Sequence, residues 1–370
     1  MSKGRLVPRV YNITAGPGGR SSNSGITATV FGATGFVGRY LVNELGRIGS
    51  RVYVPFRGCE LEVRHLKPMC DLGQLGLMPF SPRDEQSIRD AIKHSDVVIN
   101  MIGKHYETKH LVPTRRENGK ISNINYSFEE ANAGIAKTLA RLSKEAGVRT
   151  FIHVGALAAN ADSKCRWSQS KAAGEVAVRE AFPEAIIVKP ATIFGHEDRF
   201  LNWIAEGLER LPAFPLLNGG SALTQPVYSL DVAEAIMHII KNHKKFAGKN
   251  FQLCGPAEYS YKEVVEFVSD LTTVKKPLVD MPIGVATFAA SVLEYTMNPF
   301  LTRDGLLQMQ EDSIASRDES LLGFDSLDMS PQSMDKVAFD YLHRYRPGGH
   351  FKLVSGYYNS NIAGSPLGKQ

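Results

Sequence analysis

Three glycines, spaced three residues apart, lie between the first strongly apolar stretch of the chain and the first helical one. The stretch "ATVFG" (28–32) predicts a short strand, and "FVGRYLVNELGRIG" (36–49) predicts a helix with one apolar face. Where strand passes into helix, Gly32 suits a tight turn, Gly35 a close approach of the backbone to a pyrophosphate, and Gly38 close packing of helix on strand. The free N–H groups at the start of such a helix favour phosphate. The predicted dinucleotide site here consists of Gly32, Thr34, Gly35, Phe36, Val37 and Gly38.

Apolar strands and helices keep alternating after this motif. Further strands are predicted over 51–56, 76–80, 96–102, 150–156 and 185–191, and helices over 84–94, 127–146 and 167–182. Near-continuous apolar strands separated by helices are typical of a parallel sheet covered on both faces. We therefore predict an α/β fold: a doubly wound parallel (Rossmann-type) sheet with a smaller C-terminal α/β lobe.

Changes in composition suggest where the chain divides. Both ends are rich in Gly and Ser, the alternation loosens after residue 195, and 104–125 reads as an exposed polar insertion. The predicted organisation is an unstructured or transit-like lead-in (1–25), a nucleotide-binding domain (26–195), a smaller lobe partly interleaved with it (196–345) and a flexible tail (346–370).

The end of the second strand predicts which dinucleotide binds. An acidic residue about 20 residues after the glycines would hold the ribose hydroxyls of NAD. The chain instead has Arg57, nineteen residues after Gly38. A guanidinium suits a 2′-phosphate, which a carboxylate would repel. NADPH is therefore predicted over NAD; an ordinary surface arginine stays an alternative, because Glu60 and Glu62 follow closely.

Composition narrows the remaining classes. The net charge of +5 comes without a dense basic stripe, so no nucleic-acid partner is predicted. The four cysteines lack metal-ligand spacing, so no metal site is predicted and a reducing compartment is favoured. The apolar stretch 281–293 falls short of the ~18 residues needed to span a bilayer, and predicts a buried or interfacial helix. The first acidic residue is Glu44, and a basic, hydroxylated start without acids is typical of organelle transit segments.

Several motifs together resemble the short-chain dehydrogenase/reductase superfamily, in its extended or atypical branch. They are the glycine motif, "FIHVG", a lysine four residues after an aromatic residue, "VKPATIFG" and "QPVYSLDVAEAI". The similarity covers about 26–260. It implies a Tyr that transfers a proton, a Lys that lowers the pKa of that Tyr and holds ribose, a Ser that binds the substrate oxygen, and an Asn in a water relay. This chain keeps Lys171, with Asn132 near the position of the Asn, but has Trp167 at the Tyr position and Gly155 at the Ser position.

These two replacements argue against carbonyl reduction. An indole N–H donates a hydrogen bond but supplies no proton at a useful rate, and Gly155 offers no oxygen anchor. No catalytic residue is therefore assigned; Lys171 is expected to hold ribose, and Ile102 and Pro190 to line the cofactor site at the ends of their strands. The open alternative is a proton donor relocated to one of three tyrosines: Tyr106, Tyr126 or Tyr228.

Within the superfamily, the chain resembles most the NADPH-binding accessory subunits of mitochondrial respiratory complex I. The stretches that carry this resemblance include "HLKPMCDLGQLG", "AFPEAIIVKP" and "FGHEDRFLN". It implies a structural or sensing NADPH, a place on the matrix side of the inner membrane where the peripheral and membrane arms meet, and other complex I subunits as partners. Inner-membrane phospholipid along 281–300 is a further candidate partner. The rival functions are an active NADP-dependent reductase or epimerase and a free NADPH-sensing protein of the same fold.

Overall fold

The predicted alternation of strands and helices is present in the computed structural model, which describes residues 16–107, 109–115, 121–296, 299, 301–316, 318 and 320–347. The strands are β1 (Thr27–Phe31), β2 (Arg51–Phe56), β3 (Leu75–Pro79), β4 (Val97–Asn100), β5 (Lys109–Arg115), β6 (Ile121–Ile124), β7 (Thr150–Val154), β8 (Ile186–Pro190), β9 (Ile193–Phe194), β10 (Phe214–Leu216), β11 (Leu223–Thr224), β12 (Val227–Tyr228), β13 (Asn250–Leu253), β14 (Tyr259–Ser260), β15 (Leu278–Asp280) and β16 (Leu321–Leu322). The α-helices are α1 (Phe36–Arg47), α2 (Glu60–Val63), α3 (Glu85–Ile92), α4 (Ile135–Glu145), α5 (Arg166–Ala181), α6 (Leu201–Arg210), α7 (Ser229–Lys241), α8 (His243–Phe246), α9 (Tyr261–Thr272), α10 (Ile283–Leu293), α11 (Arg303–Gln308) and α12 (Met334–Leu342). Short 3-10 helices lie at Arg64–Met69, Asn218–Gly220, Phe324–Leu327 and His343–Tyr345.

Eight strands form one parallel sheet in the order β16–β13–β8–β7–β4–β1–β2–β3. The chain runs outward from β1 through β2 to β3 and then returns to β4, on the other side of β1. At such a reversal the crossover connections leave on opposite faces and open a crevice beyond the carboxyl ends of the strands. The predicted doubly wound parallel sheet is confirmed, and its crevice lies where β1 and β4 end.

Helices cover both faces of the sheet because alternate side chains of a strand point to opposite faces. On one face, α1 and α7 place Leu41 and Ile236 in a common core with Val30. On the other face, α3, α4 and α5 pack against the sheet, and Leu139 shares a core with Phe31 of β1. The apolar face that the sequence predicts for α1 is therefore the face that meets the sheet.

Two predicted segments differ in detail from the structure. The helix predicted over 127–146 begins as a π-helical turn, Glu129–Gly134, which passes directly into α4. This wider turn carries Asn132, which is buried, and such turns frequently occur at functional sites. The polar insertion predicted over 104–125 contains an antiparallel pair of strands, β5 and β6. The sequence did not predict them because its apolar and polar residues do not alternate regularly there.

The C-terminal lobe is an insertion rather than a separate unit. Helices α6, α9 and α12 surround a second core, which includes Leu208, Val265 and Ala338. Helix α7 and strands β13 and β16, however, return to the central sheet and its core. Segments after residue 195 therefore contribute both to the second core and to the central sheet.

The predicted lead-in and tail fall largely outside the described residues, which begin at 16 and end at 347. From Gly16 to Gly25 the chain forms no helix or strand but is hydrogen-bonded to the first domain. The Gln74 side-chain amide donates to the Ser22 carbonyl (3.0 Å), and the Arg20 guanidinium donates to the Pro68 carbonyl (2.9 Å). This part of the lead-in therefore contacts the segment that joins β2 to β3.

Candidate functional site

The glycine turn between β1 and α1 leaves no room for side chains at two of its positions. Gly32 has φ 82°, in the left-handed region, and a Cβ there would lie 2.9 Å from the Met101 carbonyl oxygen. A Cβ on Gly38 would lie 2.6 Å from the Cα of Ala33. The turn therefore brings β1, β4 and α1 as close together as a pyrophosphate-binding turn requires.

The N-terminus of α1 is free to bind an anion. Gly35 precedes the helix, no side chain caps it, and its first turn has no acidic residue. Thr34 and Gly35 are exposed, Phe36 is half-buried, and Val37 and Gly38 are buried. The unpaired N–H groups and the positive end of the helix dipole therefore face the crevice without a carboxylate that would compete with phosphate.

Arg57 follows β2 at the far side of the crevice. Its guanidinium carbon lies 5.4 Å from the centre of the Tyr126 ring, and that of Arg83 lies 4.2 Å from the same ring. No ion pair joins Arg57 to a carboxylate in the described part of the chain; Glu60 pairs with Lys67 instead, at 2.7 Å. The neighbouring acids therefore do not neutralise the cation that the sequence places at the ribose end.

Lys104 is a second cation at this end, and the sequence reasoning missed it. Its ammonium group donates to the Tyr126 carbonyl (3.2 Å). Burial, and after it the charge of Arg57, lower the pKa of Lys104. Arg83, by contrast, is paired with Glu130 at 2.9 Å. A phosphate between Arg57 and Lys104 would relieve the repulsion between them; a lysine four residues after β4 was the signal available in the sequence.

Lys171 lies beneath the crevice. It is buried, and burial lowers its pKa to about 8. A Cβ on Gly103 would lie 2.8 Å from its Nζ. Asn132, brought close by the π-helical turn, accepts from the Lys104 N–H (3.1 Å) and donates to the Ser170 hydroxyl (2.9 Å). Asn132 and Lys171 therefore both lie next to Gly103.

Two further predicted residues lie at the carboxyl edge of the sheet. The backbone N–H of Ile102, two residues beyond β4, donates to the side-chain oxygen of Asn100 (3.0 Å). Pro190 is buried and ends β8. The sheet topology thus brings both toward the crevice edge, although neither presents a polar side chain to it.

Trp167 is the residue that the family resemblance aligns with the proton donor. Its side chain is 5% exposed, and its ring is stacked on that of His105, with centroids 5.5 Å apart and planes 14° apart. The indole Nε1 is buried without a hydrogen-bond partner. Lys171 Nζ lies 6.0 Å from the Trp167 ring, so the lysine faces an aromatic surface where a phenol oxygen would be needed.

Gly155, which the resemblance aligns with the serine, lies against the side chain of Glu175. A Cβ on Gly155 would lie 2.3 Å from Oε1 of Glu175. The other oxygen of Glu175 pairs with Lys189 Nζ at 2.6 Å, and burial raises the pKa of this carboxyl. Gly155 thus leaves space that a buried carboxylate occupies, and sequence reasoning saw only the missing hydroxyl.

The three candidate tyrosines have other surroundings. Tyr126 packs under the Arg57 and Arg83 guanidiniums, and Tyr106 packs under Arg199 at 5.8 Å. Burial raises the pKa of Tyr228, the opposite of the change that an active phenol needs. None of these contacts activates a replacement proton donor.

The C-terminal lobe covers the start of α5, next to Trp167. The Asp304 carboxylate accepts from the backbone N–H of Arg166 (3.1 Å), and the Ser163 hydroxyl donates to Glu311 (2.6 Å). Asp304 and Arg166 also border a cavity of about 220 Å³ together with Glu107. This side of Trp167 is therefore bounded by charged side chains of both lobes.

Comparison with known proteins agrees with this geometry. Residues 28–254 match the NAD dependent epimerase/dehydratase family. The fold is similar to that of DesIV, a dTDP-glucose 4,6-dehydratase from Streptomyces venezuelae with NAD bound (TM-score 0.62, 16% identity, 92% of this chain and 99% of that one). It is also similar to a dTDP-glucose 4,6-dehydratase from Bacillus anthracis in complex with NAD (TM-score 0.60, 13% identity, 92% and 98%).

Relatives with higher identity align with about nine tenths of the chain. The chain is 41% identical to the mitochondrial NADH dehydrogenase [ubiquinone] 1 alpha subcomplex subunit 9 of Arabidopsis thaliana (90% of this chain, 81% of that one) and 39% identical to the Mus musculus protein of the same name (90% and 84%). It is 35% identical to the NADH-ubiquinone oxidoreductase 40 kDa subunit of Neurospora crassa (91% and 84%). The chain therefore belongs to the NAD dependent epimerase/dehydratase family and, within it, to the family of alpha subcomplex subunit 9 of mitochondrial NADH dehydrogenase.

Proposed function

We propose that this chain is a non-catalytic, NADPH-binding accessory subunit of mitochondrial NADH:ubiquinone oxidoreductase (complex I). It lies on the matrix side of the inner membrane and stabilises or helps assemble the junction of the peripheral and membrane arms. One observation supports the non-catalytic part: the indole of Trp167, which the resemblance aligns with the proton donor, is buried beside Lys171. The family relationship supports the assignment to complex I.

The cofactor assignment rests on two ends of the crevice. The uncapped N-terminus of α1 would take the pyrophosphate, and Lys171 would hold ribose hydroxyls beneath it. Arg57 and Lys104 would take a 2′-phosphate, which favours NADPH over NADH. Bound NADPH carries a transferable hydride on its nicotinamide ring. In this role these residues bind and orient the cofactor.

The rival function is an active NADP-dependent reductase or epimerase. It requires a phenol with a lowered pKa near Lys171, and burial instead raises the pKa of Tyr228. It also requires a donor for the substrate oxygen near Gly155, where the nearest side-chain atoms belong to the Glu175 carboxylate, an acceptor. Two acceptors facing each other repel, so a carbonyl oxygen is not stabilised there.

Native separation tests this function directly. Gently solubilised mitochondria are separated by size and probed for this chain, and nucleotide released from the purified chain is identified by mass spectrometry. We expect migration with the NADH dehydrogenase assembly and release of NADPH. Migration at about the mass of the free chain, 40.7 kDa, would contradict the subunit assignment and favour the reductase or a free NADPH-sensing protein. Resistance to protease added to intact mitoplasts tests the matrix location.

A further inference from the structure

Helix α10 buries its small side chains and exposes its large apolar ones, the opposite of an ordinary surface helix. Its buried residues are two small ones, Ala286 and Ala290, which pack against Leu306 of α11. Its larger apolar side chains face outward: Phe288 is 75% exposed and Val292 63%. A helix that only needed to cover the lobe would bury its large apolar side chains and expose its small ones. The outward face is therefore built for an apolar environment.

The exposed apolar surface extends beyond these two side chains. The other large apolar residues exposed in the same region are Val279, Ile283, Val285, Leu293 and Tyr295. No charged residue interrupts the chain from 281 to 293. A contiguous exposed apolar surface on a soluble lobe marks a contact with a protein or a membrane.

The hydroxyl groups of the helix distinguish between these two environments. The Thr287 hydroxyl donates to the Ile283 carbonyl (2.7 Å), the Ser291 hydroxyl to the Thr287 carbonyl (2.6 Å), and the Thr296 hydroxyl to the Leu293 carbonyl (2.8 Å). Each polar side chain is thus satisfied within its own helix or its final turn. Protein interfaces normally use such groups for hydrogen bonds across the contact, whereas hydrocarbon requires them to be satisfied internally.

A cation lies beside the C-terminal half of α10. The Arg303 Nε donates to the Ser291 hydroxyl (2.8 Å), and its backbone N–H donates to the buried Glu294 carboxylate (2.7 Å). No ion pair joins the exposed Arg303 guanidinium to a carboxylate in the described residues. An unpaired cation at the edge of an apolar face complements a lipid phosphate. If the apolar face lies among the acyl chains, the cation lies at the level of the phosphates.

We propose that α10 lies in the plane of a phospholipid leaflet, with the Val285–Phe288–Val292 face among the acyl chains and Arg303 at the phosphates. Its eleven residues extend about 16 Å along the helix axis, about half of the ~30 Å hydrocarbon core, so the helix lies on the leaflet and does not cross it. The Val285–Phe288–Val292 face contains none of the residues assigned to the dinucleotide, so lipid binding is an added property of the chain.

Vesicle flotation with the full-length, NADPH-loaded chain tests the proposal. The vesicles contain phosphatidylcholine alone or phosphatidylcholine with cardiolipin. We expect the chain to float with both and to bind the cardiolipin vesicles more tightly. Val285→Asp should weaken binding by on the order of tenfold or more, because it loses the burial of one valine and adds a charge.

Val176→Asp is a matched control on α5, since Val176 is 59% exposed and Val285 is 58% exposed. The two variants should have the same thermal midpoint, and the control should bind vesicles as the parent chain does. Arg303→Gln should weaken binding to cardiolipin vesicles about fivefold. Phe288→Trp should add a blue-shifted fluorescence component that spin-labelled acyl chains quench.

Three outcomes would overturn the proposal. The first is that the parent chain floats with neither kind of vesicle. The second is that Val285→Asp binds vesicles as tightly as Val176→Asp. The third is that the fluorescence added by Phe288→Trp is not quenched by spin-labelled acyl chains although the chain floats with the vesicles. If Val285→Asp leaves vesicle binding intact but abolishes migration with complex I, the face binds a protein subunit and the leaflet assignment is wrong. Vesicle binding by a chain that does not migrate with complex I would contradict the proposed function alone.

Discussion

Replacing Arg57 by Gln should separate the two dinucleotides. Arg57 and Lys104 are the cations at the ribose end without a neutralising acid, and the charge of Arg57 lowers the pKa of Lys104. A hydrogen bond between a charged pair contributes about 1.5–3 kcal/mol. Loss of about 2 kcal/mol from the 2′-phosphate corresponds to a rise of about thirtyfold in the Kd for NADPH. NADH lacks that phosphate, so its Kd should stay within about twofold of the parent value.

The assay is calorimetric titration of the stripped, full-length chain with each nucleotide. Arg64→Gln is the matched control, since Arg64 is an exposed arginine on the same connection after β2. Arg83→Gln should have a smaller effect than Arg57→Gln, because Glu130 already neutralises Arg83. Equal weakening of NADPH and NADH in Arg57→Gln would refute the 2′-phosphate assignment. So would an Arg64→Gln variant that loses NADPH to the same extent.

The remaining predictions concern the floor of the crevice. Trp167→Tyr alone should show no carbonyl reduction in a substrate screen, because Gly155 still lacks the hydroxyl; measurable turnover would show that the serine is dispensable. Adding Gly155→Ser should lower the unfolding free energy by about 1–3 kcal/mol, because Glu175 occupies the space that its Cβ needs. Lys171→Met should stabilise the apo-chain by up to about 3 kcal/mol below pH 8, since burial lowers the lysine pKa from 10.5 to about 8 and so penalises its charged form. As the pH rises, Lys171 loses its proton at a lower pH in the folded parent chain than in the unfolded chain. The unfolding free energy of the parent chain should therefore rise from pH 8 to 10.5, and the advantage of the variant should vanish. Denaturant unfolding across this range measures the unfolding free energies of both chains.

The main elements of the fold were predictable because local pattern and global topology agree. The glycine turn, the apolar strands and the apolar faces of α1 and α4 each follow from residues close together in sequence. A spacing of four residues also places Lys171 and Trp167 on one face of α5, while their roles stay predictions. Asn132 needed the π-helical turn, which no simple period indicates.

The rest of the site depends on contacts between distant segments. Lys104 reaches the ribose end because β4 pairs with β1, which in turn pairs with β2. A lysine four residues after β4 indicates a place near the crevice, but its nearness to Arg57 depends on this sheet order. Glu175 approaches Gly155 across the packing of α5 on β7, and its pairing with Lys189 requires β8 as well. The outward face of α10 was also undecided, since an all-apolar stretch does not reveal which side is buried; only the packing of Ala286 and Ala290 does so.

The sheet order also determines when the nucleotide-binding platform can be completed. Strand β13 pairs with β8, and β16 pairs with β13, so the last piece of the main sheet is Leu321–Leu322, nearly three hundred residues after β1. A chain that is truncated before this point lacks an edge strand and not merely a dispensable tail. The backbone N–H and C=O groups of β13 that pair with β16 are then open to other chains. Helix α10 is synthesised before this last strand. In the chain it lies between β15 on one side and α11 and β16 on the other. The folded chain can therefore present α10 without loosening the sheet that would carry the cofactor.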